Sequence, residues 1–250
     1  MTRLTGTRSV VTGGSSGIGL ATARALARAG SRVDVVGRDP ERLRAAAADT
    51  GGEALQVDLT AAAQRAGLAE RLAARPPDIL VHNAGRGLVA DATAADTGQG
   101  LTALLETNVR APVELTTAVL PAMLARGRGH LVFVGSIAGV LGVAHESAYA
   151  ASKAALMTYA AGLAAEVRSR GVVVTVVVPG VVDTPFFERR GAPYDRVFPR
   201  PVPPALVAER LVEAVLHDRA TVVVPRWLHL PIALRALAPG LYLRLATRFG

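Results

Sequence analysis

A single lysine stands among arginines in this 250-residue chain. Lys153 is the only lysine of the 28 lysine and arginine residues, which indicates a position where a compact ammonium is required and a guanidinium does not substitute. Tyr149 precedes it by four residues in a predicted helix, so the two side chains should share one face. A cation about 5 Å away would lower the ordinary phenol pKa of about 10 by about two units. The pair is therefore predicted to transfer a proton.

One further polar residue could take part in this chemistry. Ser136 follows a predicted strand and could hydrogen-bond an oxygen on which negative charge develops. Each residue alone has a structural alternative. A tyrosine and a lysine one turn apart are often a surface pair, Ser136 could simply end its strand, and Asn108 could cap or break a helix.

A glycine-rich segment follows the first predicted strand and opens a helix. Residues 12–19 read TGGSSGIG, with spacing Gly-x3-Gly-x-Gly instead of the commoner Gly-x-Gly-x-x-Gly. Glycines allow a sharp turn and close approach of the backbone, and the helix N-terminus offers free amides to a pyrophosphate. A tight turn without a ligand is the alternative. The candidate contacts are Gly13, Ser15, Ser16, Gly17, Ile18 and Gly19.

The residue that follows the second predicted strand bears on the type of nucleotide. The sequence there is Val36-Gly37-Arg38-Asp39, where a reader of a ribose 2′-hydroxyl would be acidic. The guanidinium of Arg38 suits a 2′-phosphate instead. NADP(H) is therefore predicted as the preferred cofactor, with NAD(H) possible; the alternative is that Arg38 is a surface arginine neutralised by Asp39.

Composition narrows the protein class. Half of the residues are apolar, 19% are charged and none is cysteine, which fits one core of about 250 residues and excludes disulfides, thiolate metal sites and a cysteine nucleophile. The net charge of +8 comes from scattered arginines, without the basic runs and interleaved aromatics of a nucleic-acid site. No stretch is long and apolar enough for a signal peptide or a spanning helix, so a cytoplasmic location is expected.

Short β-branched runs alternate with alanine-rich helical stretches, which predicts a parallel sheet joined by crossover helices. Predicted strands cover residues 9–12, 32–36, 53–57, 78–82, 130–135, 172–178 and 221–224. Predicted helices cover residues 19–29, 41–48, 61–74, 112–126, 148–170 and 204–216. Asp39 is predicted to cap the second helix, with Pro40 at its first position. The run 172–178 is apolar on both faces, which favours a central strand.

Together these motifs resemble the short-chain dehydrogenase/reductase family over residues 6–225. The resemblance rests on the glycine turn, Asn83-Ala84-Gly85, Asn108, Ser136 and Tyr149-x3-Lys153. An amphipathic C-terminal extension (226–250) continues past the point where many members end. The resemblance implies an α/β, three-layer, doubly wound Rossmann fold with a seven-stranded parallel sheet, in a single catalytic domain (1–225). It also implies a homodimer or homotetramer.

The resemblance assigns roles to individual residues. Asn108, Ser136, Tyr149 and Lys153 would be catalytic, with Lys153 also holding the nicotinamide ribose and Asn108 anchoring a water that relays protons. His82 stands where many members have asparagine, and is predicted to be structural. The remaining cofactor contacts implied are Asp58 and Leu59 near the adenine, Asn83, Ala84 and Gly85 after the fourth strand, and Pro179, Gly180, Val182 and Thr184 near the carboxamide.

Residues 181–204 bear on the substrate. They include Phe186, Phe187, Tyr194 and Phe198, and residues Leu88, Val140, Leu141 and Val143 could add to an apolar pocket beside Ser136. This favours a small hydrophobic carbonyl or alcohol. Arg189, Arg190, Arg196 and Arg200 lie in the same loop, which leaves a negatively charged or carrier-bound substrate open. His145 and Glu146 could contact substrate or be solvated in a loop.

The extension contains arginines but no acidic residue after Asp218. It could pack on a partner subunit or over the pocket mouth, or contact an inner membrane surface peripherally. The leading hypothesis is an NADP(H)-dependent oxidoreductase acting on a hydrophobic carbonyl/alcohol pair. The alternatives are an NADP-binding regulatory or scaffold protein without turnover and a membrane-surface module.

Overall fold

The computed structural model describes residues 2–90 and 98–249. Seven parallel strands form one sheet in the order β3-β2-β1-β4-β5-β6-β7. The strands are β1 (Arg8–Thr12), β2 (Arg32–Gly37), β3 (Gly51–Gln56), β4 (Ile79–His82), β5 (Gly129–Val134), β6 (Val172–Pro179) and β7 (Thr221–Val224). All seven predicted strands are confirmed to within two residues. The order reverses between β1 and β4, which makes the sheet a doubly wound Rossmann sheet with a ligand crevice at that point.

Helices cover both faces of the sheet. They are α1 (Gly17–Arg28), α2 (Pro40–Thr50), α3 (Ala62–Ala74), α4 (Gln99–Leu105), α5 (Ala111–Ala125), α6 (Ile137–Leu141), α7 (Ser147–Val167), α8 (Phe186–Arg189), α9 (Pro204–Leu216), α10 (His229–Leu237) and α11 (Pro239–Phe249). A π-helical turn covers Glu106–Arg110, and 3-10 turns cover Arg168–Arg170 and Arg226–Leu228. The six predicted helices are confirmed, whereas α4, α6 and α8 lie in segments that were not predicted to be helical.

The core has two layers because successive residues of a strand point to opposite faces. Val11 of β1 packs in a cluster with residues of α1, α2 and α9, whereas its neighbour Val10 packs in a second cluster with residues of α3, α5 and α7. Val81 and Leu80 of β4 divide in the same way. The result is the three-layer arrangement predicted from the sequence.

The position of β6 differs from the prediction. The strand lies between β5 and β7, so it is internal but adjacent to the edge, and the prediction of a central strand is wrong. It is apolar on both faces because Val174 packs in the cluster with α7 and Val177 packs in the cluster with α9. Burial between two helical layers, and not distance from the edge, explains its composition.

The start of α2 follows the predicted capping pattern. The Asp39 carboxylate accepts the backbone N–H groups of Glu41 and Arg42, both at 3.1 Å, and Pro40 occupies the first turn. A cap of this kind stabilises a helix by about 1 kcal/mol. The helix ends at Gly51, whose φ of +64° is the left-handed conformation that favours glycine. These features mark the two ends of α2, the helix that connects β2 to β3.

The last residues pack beside the site. Leu228 is buried with Val178 and Val223, and the side chain of Arg235 in α10 donates to the carbonyl of Val140 in α6. In α11, the Tyr242 hydroxyl donates to the Leu141 carbonyl at 3.2 Å. No helix within the described ranges is long and apolar enough to span a bilayer. The boundary at residue 225 stays a prediction.

Candidate active site

The fold places the predicted residues at the carboxyl edge of the sheet. The glycine turn follows β1, Arg38 follows β2, Asp58 follows β3, Asn83 follows β4 and Ser136 follows β5. The Pro179 segment ends β6, and Tyr149 and Lys153 reach the same edge from α7 through their contacts with Ser136 and Val134. Parallel topology therefore brings residues from Gly13 to Pro179 into one crevice.

The glycines of the turn are required by backbone shape. Gly13 and Gly17 have φ of +65° and +53°, which side-chain-bearing residues rarely adopt. A Cβ on Gly19 would lie 2.1 Å from the carbonyl oxygen of Gly13, so any larger residue would break the turn. The N-cap residue Ser16 makes no side-chain cap. The first amides of α1 are thus available to an anion, since they have no partner within the helix.

Asn83, which follows β4, hydrogen-bonds the start of this turn. Its side-chain amide donates to the carbonyl of Thr12 at 2.9 Å, and its backbone N–H donates to the Thr12 hydroxyl at 3.0 Å. The N–H of Ala84 donates to the same hydroxyl at 3.1 Å. The Asn83 side chain is therefore engaged with the turn, which it positions, and its contact with the cofactor stays a prediction. Thr12, for which the sequence predicts no role, links the turn to the end of β4 through its hydroxyl.

Small and charged residues surround the expected adenosine end. A Cβ on Gly37 would lie 3.2 Å from the Ser15 hydroxyl oxygen, and Arg38 is exposed. The pKa of Asp58 lies below its ordinary value. Burial alone would raise this pKa, but the hydrogen bonds from Thr60 and the charges of Arg38 and Arg86 together lower it by more. Asp58 therefore stays ionised beside Arg38. Its neighbour Leu59 is buried in the core, which leaves only its backbone to face a ligand.

Tyr149 and Ser136 form the centre of the site. The tyrosine is 7% exposed and lies close enough to the Ser136 side chain for that group to act on its pKa in the lowering direction. The Ser136 Oγ also accepts the N–H of Ala138 at 3.1 Å and so caps α6. Burial raises the pKa of Tyr149 to about 12, with Glu146 acting in the same direction. At neutral pH the phenol keeps its proton, which is the state that a proton donor requires.

Lys153 lies beside this pair but acts differently from the prediction. Its Nζ donates to the carbonyl of Val134 at 2.8 Å and would lie 3.3 Å from a Cβ on Gly85. Burial lowers the pKa of Lys153 to about 8. The prediction that the ammonium lowers the pKa of Tyr149 is wrong for this structure, because burial raises this pKa and the groups that act on it are Ser136, Glu146 and Arg190, not Lys153. Gly85 is small because a side chain there would meet the ammonium.

Asn108 occupies the π-helical turn between α4 and α5. Its Oδ1 accepts the N–H of Arg86 at 2.8 Å, and its Nδ2 donates to the carbonyl of Arg86 at 2.9 Å and to the Ser152 hydroxyl at 3.0 Å. It neither caps nor ends a helix, and it joins the loop after β4 to α7. Such π-helical turns are frequent at functional sites. The water relay expected at Asn108 stays a prediction.

A buried arginine that the sequence analysis did not identify supports the π-helical turn. Arg65 of α3 is fully buried and pairs with Glu106 at 2.6 Å and with Glu114 at 2.8 Å. It also donates to the Leu59 carbonyl at 2.7 Å. Glu106 is the first residue of the turn that carries Asn108. In an arginine-rich chain nothing local distinguishes Arg65 from surface arginines, so its burial could not be predicted.

The segment after β6 folds over the crevice, and we call residues 183–199 the lid. The ring of Phe186 lies 5.4 Å from that of Tyr149, and Arg190 pairs with Glu146 while lying over the ring of Phe187. Arg189 Nη1 donates to the Ser16 hydroxyl at 3.2 Å. The lid therefore contacts both the proton donor and the phosphate-binding turn.

The predicted apolar residues divide between two places. Leu88 and Val143 pack in the cluster of Tyr149, whereas Val140 packs with residues under α10. Among the lid aromatics, Phe187 and Tyr194 continue the stack from Phe186, with ring centroids 5.2 Å apart. Phe198 does not join them, because its ring lies 5.4 Å from that of Trp227 at the start of the extension.

Most of the residues predicted to reach a carboxamide have no side chain free to do so, which leaves their backbone groups. Val182 is buried in the core and bridges to Val202, and Gly180 lies against Leu228, whose Cδ1 would be 2.8 Å from an added Cβ. Pro179 closes β6. The side chain of Thr184 is 3.0 Å from the Cβ position of Gly17, so it is the one that approaches the phosphate-binding turn.

His82 has the structural role that was predicted. It is buried, its Nε2 lies 2.9 Å from the Thr116 hydroxyl, and its ring stacks on Phe133 at 4.8 Å. Burial lowers its pKa to about 3, so the ring is neutral at pH 7. The described part of the chain holds no group of three or more histidine, aspartate or glutamate side chains that could bind a metal.

A doubly wound sheet whose crevice holds a serine, a tyrosine and a lysine defines an oxidoreductase of the Rossmann type. The chain belongs to the short-chain dehydrogenase/reductase family, whose model, described as short chain dehydrogenase, matches residues 8–195. Dehydrogenase/reductase SDR family member 7B of Danio rerio is 34% identical over an alignment that covers 94% of this chain and 82% of that protein.

Two solved structures are similar along nearly the whole chain. A short-chain dehydrogenase from Sphingobium yanoikuyae in complex with NADPH is 30% identical with a TM-score of 0.83, over 93% of this chain and 95% of that one. The bulky-bulky ketone specific alcohol dehydrogenase from Comamonas testosteroni is 26% identical with a TM-score of 0.79, over 93% and 94%.

Proposed function

We propose that this protein is an NADP(H)-dependent oxidoreductase that interconverts a small hydrophobic carbonyl compound and its alcohol. The observation that carries the proposal is the placing of Tyr149 beside Ser136, both buried, with the ring of Phe186 against that of Tyr149. A protonated phenol beside a second hydroxyl is suited to bind and protonate a carbonyl oxygen. The rest of the crevice fits a dinucleotide.

The turn after β1 has the shape that a diphosphate requires. The Cβ positions of Gly13 and Gly19 are filled by neighbouring atoms, so only glycine fits this tight turn. The free amides of α1 would bind the phosphates. Arg189, at the Ser16 hydroxyl, would add a positive charge. Arg38 would bind a 2′-phosphate at the other end. When bound, the nicotinamide would supply or accept the hydride.

The proton chemistry belongs to Tyr149. With a pKa of about 12 the phenol is protonated at neutral pH, and in reduction it would donate this proton to the substrate oxygen while Ser136 holds that oxygen. Lys153 would hold the nicotinamide ribose. In oxidation the tyrosine must first lose its proton, so the oxidation rate should rise with pH while the reduction rate does not.

The lid favours an apolar substrate. The side chains that pack around Tyr149 are Leu88, Val143 and Phe186. Of the lid arginines, Arg190 is paired with Glu146 and Arg189 contacts Ser16, so neither is directed to an anionic substrate. The bulky-bulky ketone specificity of the structural neighbour from Comamonas testosteroni supports the same class.

The cofactor preference can be tested with Arg38. Nicotinamide absorbance would be followed with NADPH and NADH against aliphatic, aromatic and polycyclic ketones and aldehydes. We expect turnover with NADPH, and in Arg38→Ser a loss of about 10-fold or more in kcat/KM for NADPH with little change for NADH. Arg24→Ser, an exposed arginine paired with Asp49 on the surface, is the matched control.

The results of this assay distinguish the proposed enzyme from its alternatives. Equal use of both cofactors by the parent protein would refute the NADP preference. Tight NADPH binding without turnover across the panel would favour the regulatory or scaffold alternative. We also propose a homodimer or homotetramer, for which α7 offers a surface of small residues, with exposed Ala151, Ala155 and Ala161; sedimentation velocity would test this.

A further inference from the structure

The large apolar side chains that are exposed in the described residues are concentrated in one part of the sequence. All except Leu105 lie at residues 197–198 of the lid and 227–245 of the extension. Phe198 and Trp227 are 70% and 40% exposed and contact each other, so the lid tip and the extension are continuous. We call Phe198, Trp227, Leu230, Leu237, Leu241 and Leu245 the tail surface.

The helices of the extension each have an apolar side that the fold does not use. In α10 the inner side chain is Ile232, which packs against the cluster of Val178 and Val223. Leu230, Ala233 and Leu237, at spacings of three and four, are all exposed and share another face. The outer face is therefore apolar without packing on the described part of the chain.

α11 repeats this arrangement. Its Tyr242 side chain is bonded to the Leu141 carbonyl of α6, which sets the inner side of the helix. Leu241 and Leu245 are 50% and 39% exposed and lie one turn apart on the same face. An amphipathic helix with leucines on one side and arginines nearby is typical of segments that lie in a membrane interface.

The positive charge of the extension favours an anionic lipid surface over a second copy of the chain as the partner of the tail surface. No acidic residue follows Asp218, whereas Arg226 and Arg244 are exposed beside the tail surface. A second copy docked through the same surface would bring arginines against arginines with no aspartate or glutamate side chain from this segment between them. An anionic lipid surface supplies the opposite charge and an apolar layer together.

We propose that the tail surface docks on an anionic lipid bilayer, with α10 and α11 lying in the interface. The inference extends the proposed function, because the extension is bonded to α6, which begins directly after Ser136. Docking would place the wall of the active site at the bilayer, where a lipophilic carbonyl compound is concentrated. Membrane binding itself requires no turnover and is tested without substrate.

Trp227 is the only tryptophan of the chain and reports on the tail surface directly. Its emission and the cosedimentation of the full-length protein would be measured with phosphatidylcholine vesicles, with and without phosphatidylglycerol. We expect a blue shift and at least about 10-fold stronger binding to the anionic vesicles. Added salt should weaken the binding, since screening reduces the attraction.

The double variant Leu230→Asp, Leu237→Asp adds two charges to the tail surface, and we expect it to lose vesicle binding by about 10-fold or more. Its matched control is Ala66→Asp, Ala73→Asp, which adds the same charges at the same spacing on exposed positions of α3 and should bind like the parent protein. Circular dichroism would confirm that both fold, and both should reduce a water-soluble ketone at the parent rate.

Three results would overturn the inference: no preference for anionic vesicles, equal loss of binding in both variants, or a change of oligomeric state in the leucine variant while vesicle binding is absent. The last would assign the surface to a second copy of the chain. Failure of vesicle binding with intact ketone reduction would refute this inference alone. Failure of ketone reduction with intact vesicle binding would refute only the proposed function.

Discussion

Replacing Lys153 by methionine should stabilise the fold while it removes activity. The lysine is 4% exposed, and burial lowers its pKa from 10.5 to about 8. Each pKa unit corresponds to about 1.4 kcal/mol, so keeping this side chain charged at pH 7 costs the fold on the order of 3 kcal/mol. Methionine keeps most of the stem but leaves the Val134 carbonyl without its donor, a loss of about 1 kcal/mol. The net expectation is a gain of about 2 kcal/mol.

The sign of this effect depends on pH in a defined window. Above pH 8 the folded protein releases the Lys153 proton, while the unfolded chain holds it up to a pKa of 10.5. The unfolded state then binds more protons, so the stability of the parent protein rises with pH between these values. Lys153→Met lacks this dependence. Its advantage should be full at pH 7 and should vanish toward pH 10.

Urea unfolding of both proteins at pH 7, 8, 9 and 10, with nucleotide removed, measures this difference. Arg28→Met is the control, since Arg28 is an exposed cation of α1, and it should follow the parent protein at every pH. The reasoning would be refuted if Lys153→Met were less stable than the parent at pH 7, or if the difference between them did not change with pH. Ketone reduction by Lys153→Met should be lost.

Three other substitutions test separate features. In the folded protein the pKa of His82 is about 3, below the ordinary 6.5, so the parent should lose about 2 kcal/mol of unfolding free energy between pH 7 and pH 5. His82→Asn should lack this loss. Urea unfolding of the variant with the same pH dependence as the parent would contradict this. Arg65→Met should lower the free energy of unfolding by about 3 kcal/mol, because two carboxylates lose a buried partner; a loss below 0.5 kcal/mol, an order-of-magnitude limit for surface changes, would show that the pairs are dispensable. Arg189→Gln should weaken NADPH binding about 5-fold by fluorescence titration at low salt, because it removes the charge at Ser16, whereas Arg196→Gln in the same lid should not; equal effects would reject a specific contact.

The sheet and the crevice could be predicted because their signals are local. Alternating runs marked every strand, and Asp39 with Pro40 marked the start of α2. The order of strands at the crevice followed from the resemblance to the family, as did the placing of Tyr149, Ser136 and Lys153 in one site. The centrality of β6 was misjudged because a buried strand has the same composition at any internal position.

Electrostatic effects were harder to predict because they depend on burial. Spacing showed that Lys153 and Tyr149 share a helix face, but not that both would be desolvated, which moves their pKa values toward the neutral forms. Side-chain contacts between residues far apart in the sequence could not be predicted either. The contacts of Arg65 with Glu106 and of Arg189 with Ser16 cross 41 and 173 positions, and no pattern of neighbouring residues indicates them.

The most direct test of the proposed chemistry is the comparison of Tyr149→Phe with the parent protein. NADPH binding would be measured by fluorescence titration, and reduction of the best ketone by the loss of nicotinamide absorbance. We predict that the variant binds NADPH within about twofold of the parent and loses activity by about 100-fold to 10,000-fold, because only the transferable proton is removed. Turnover within about tenfold of the parent, at equal cofactor affinity, would contradict the assignment of Tyr149 as proton donor.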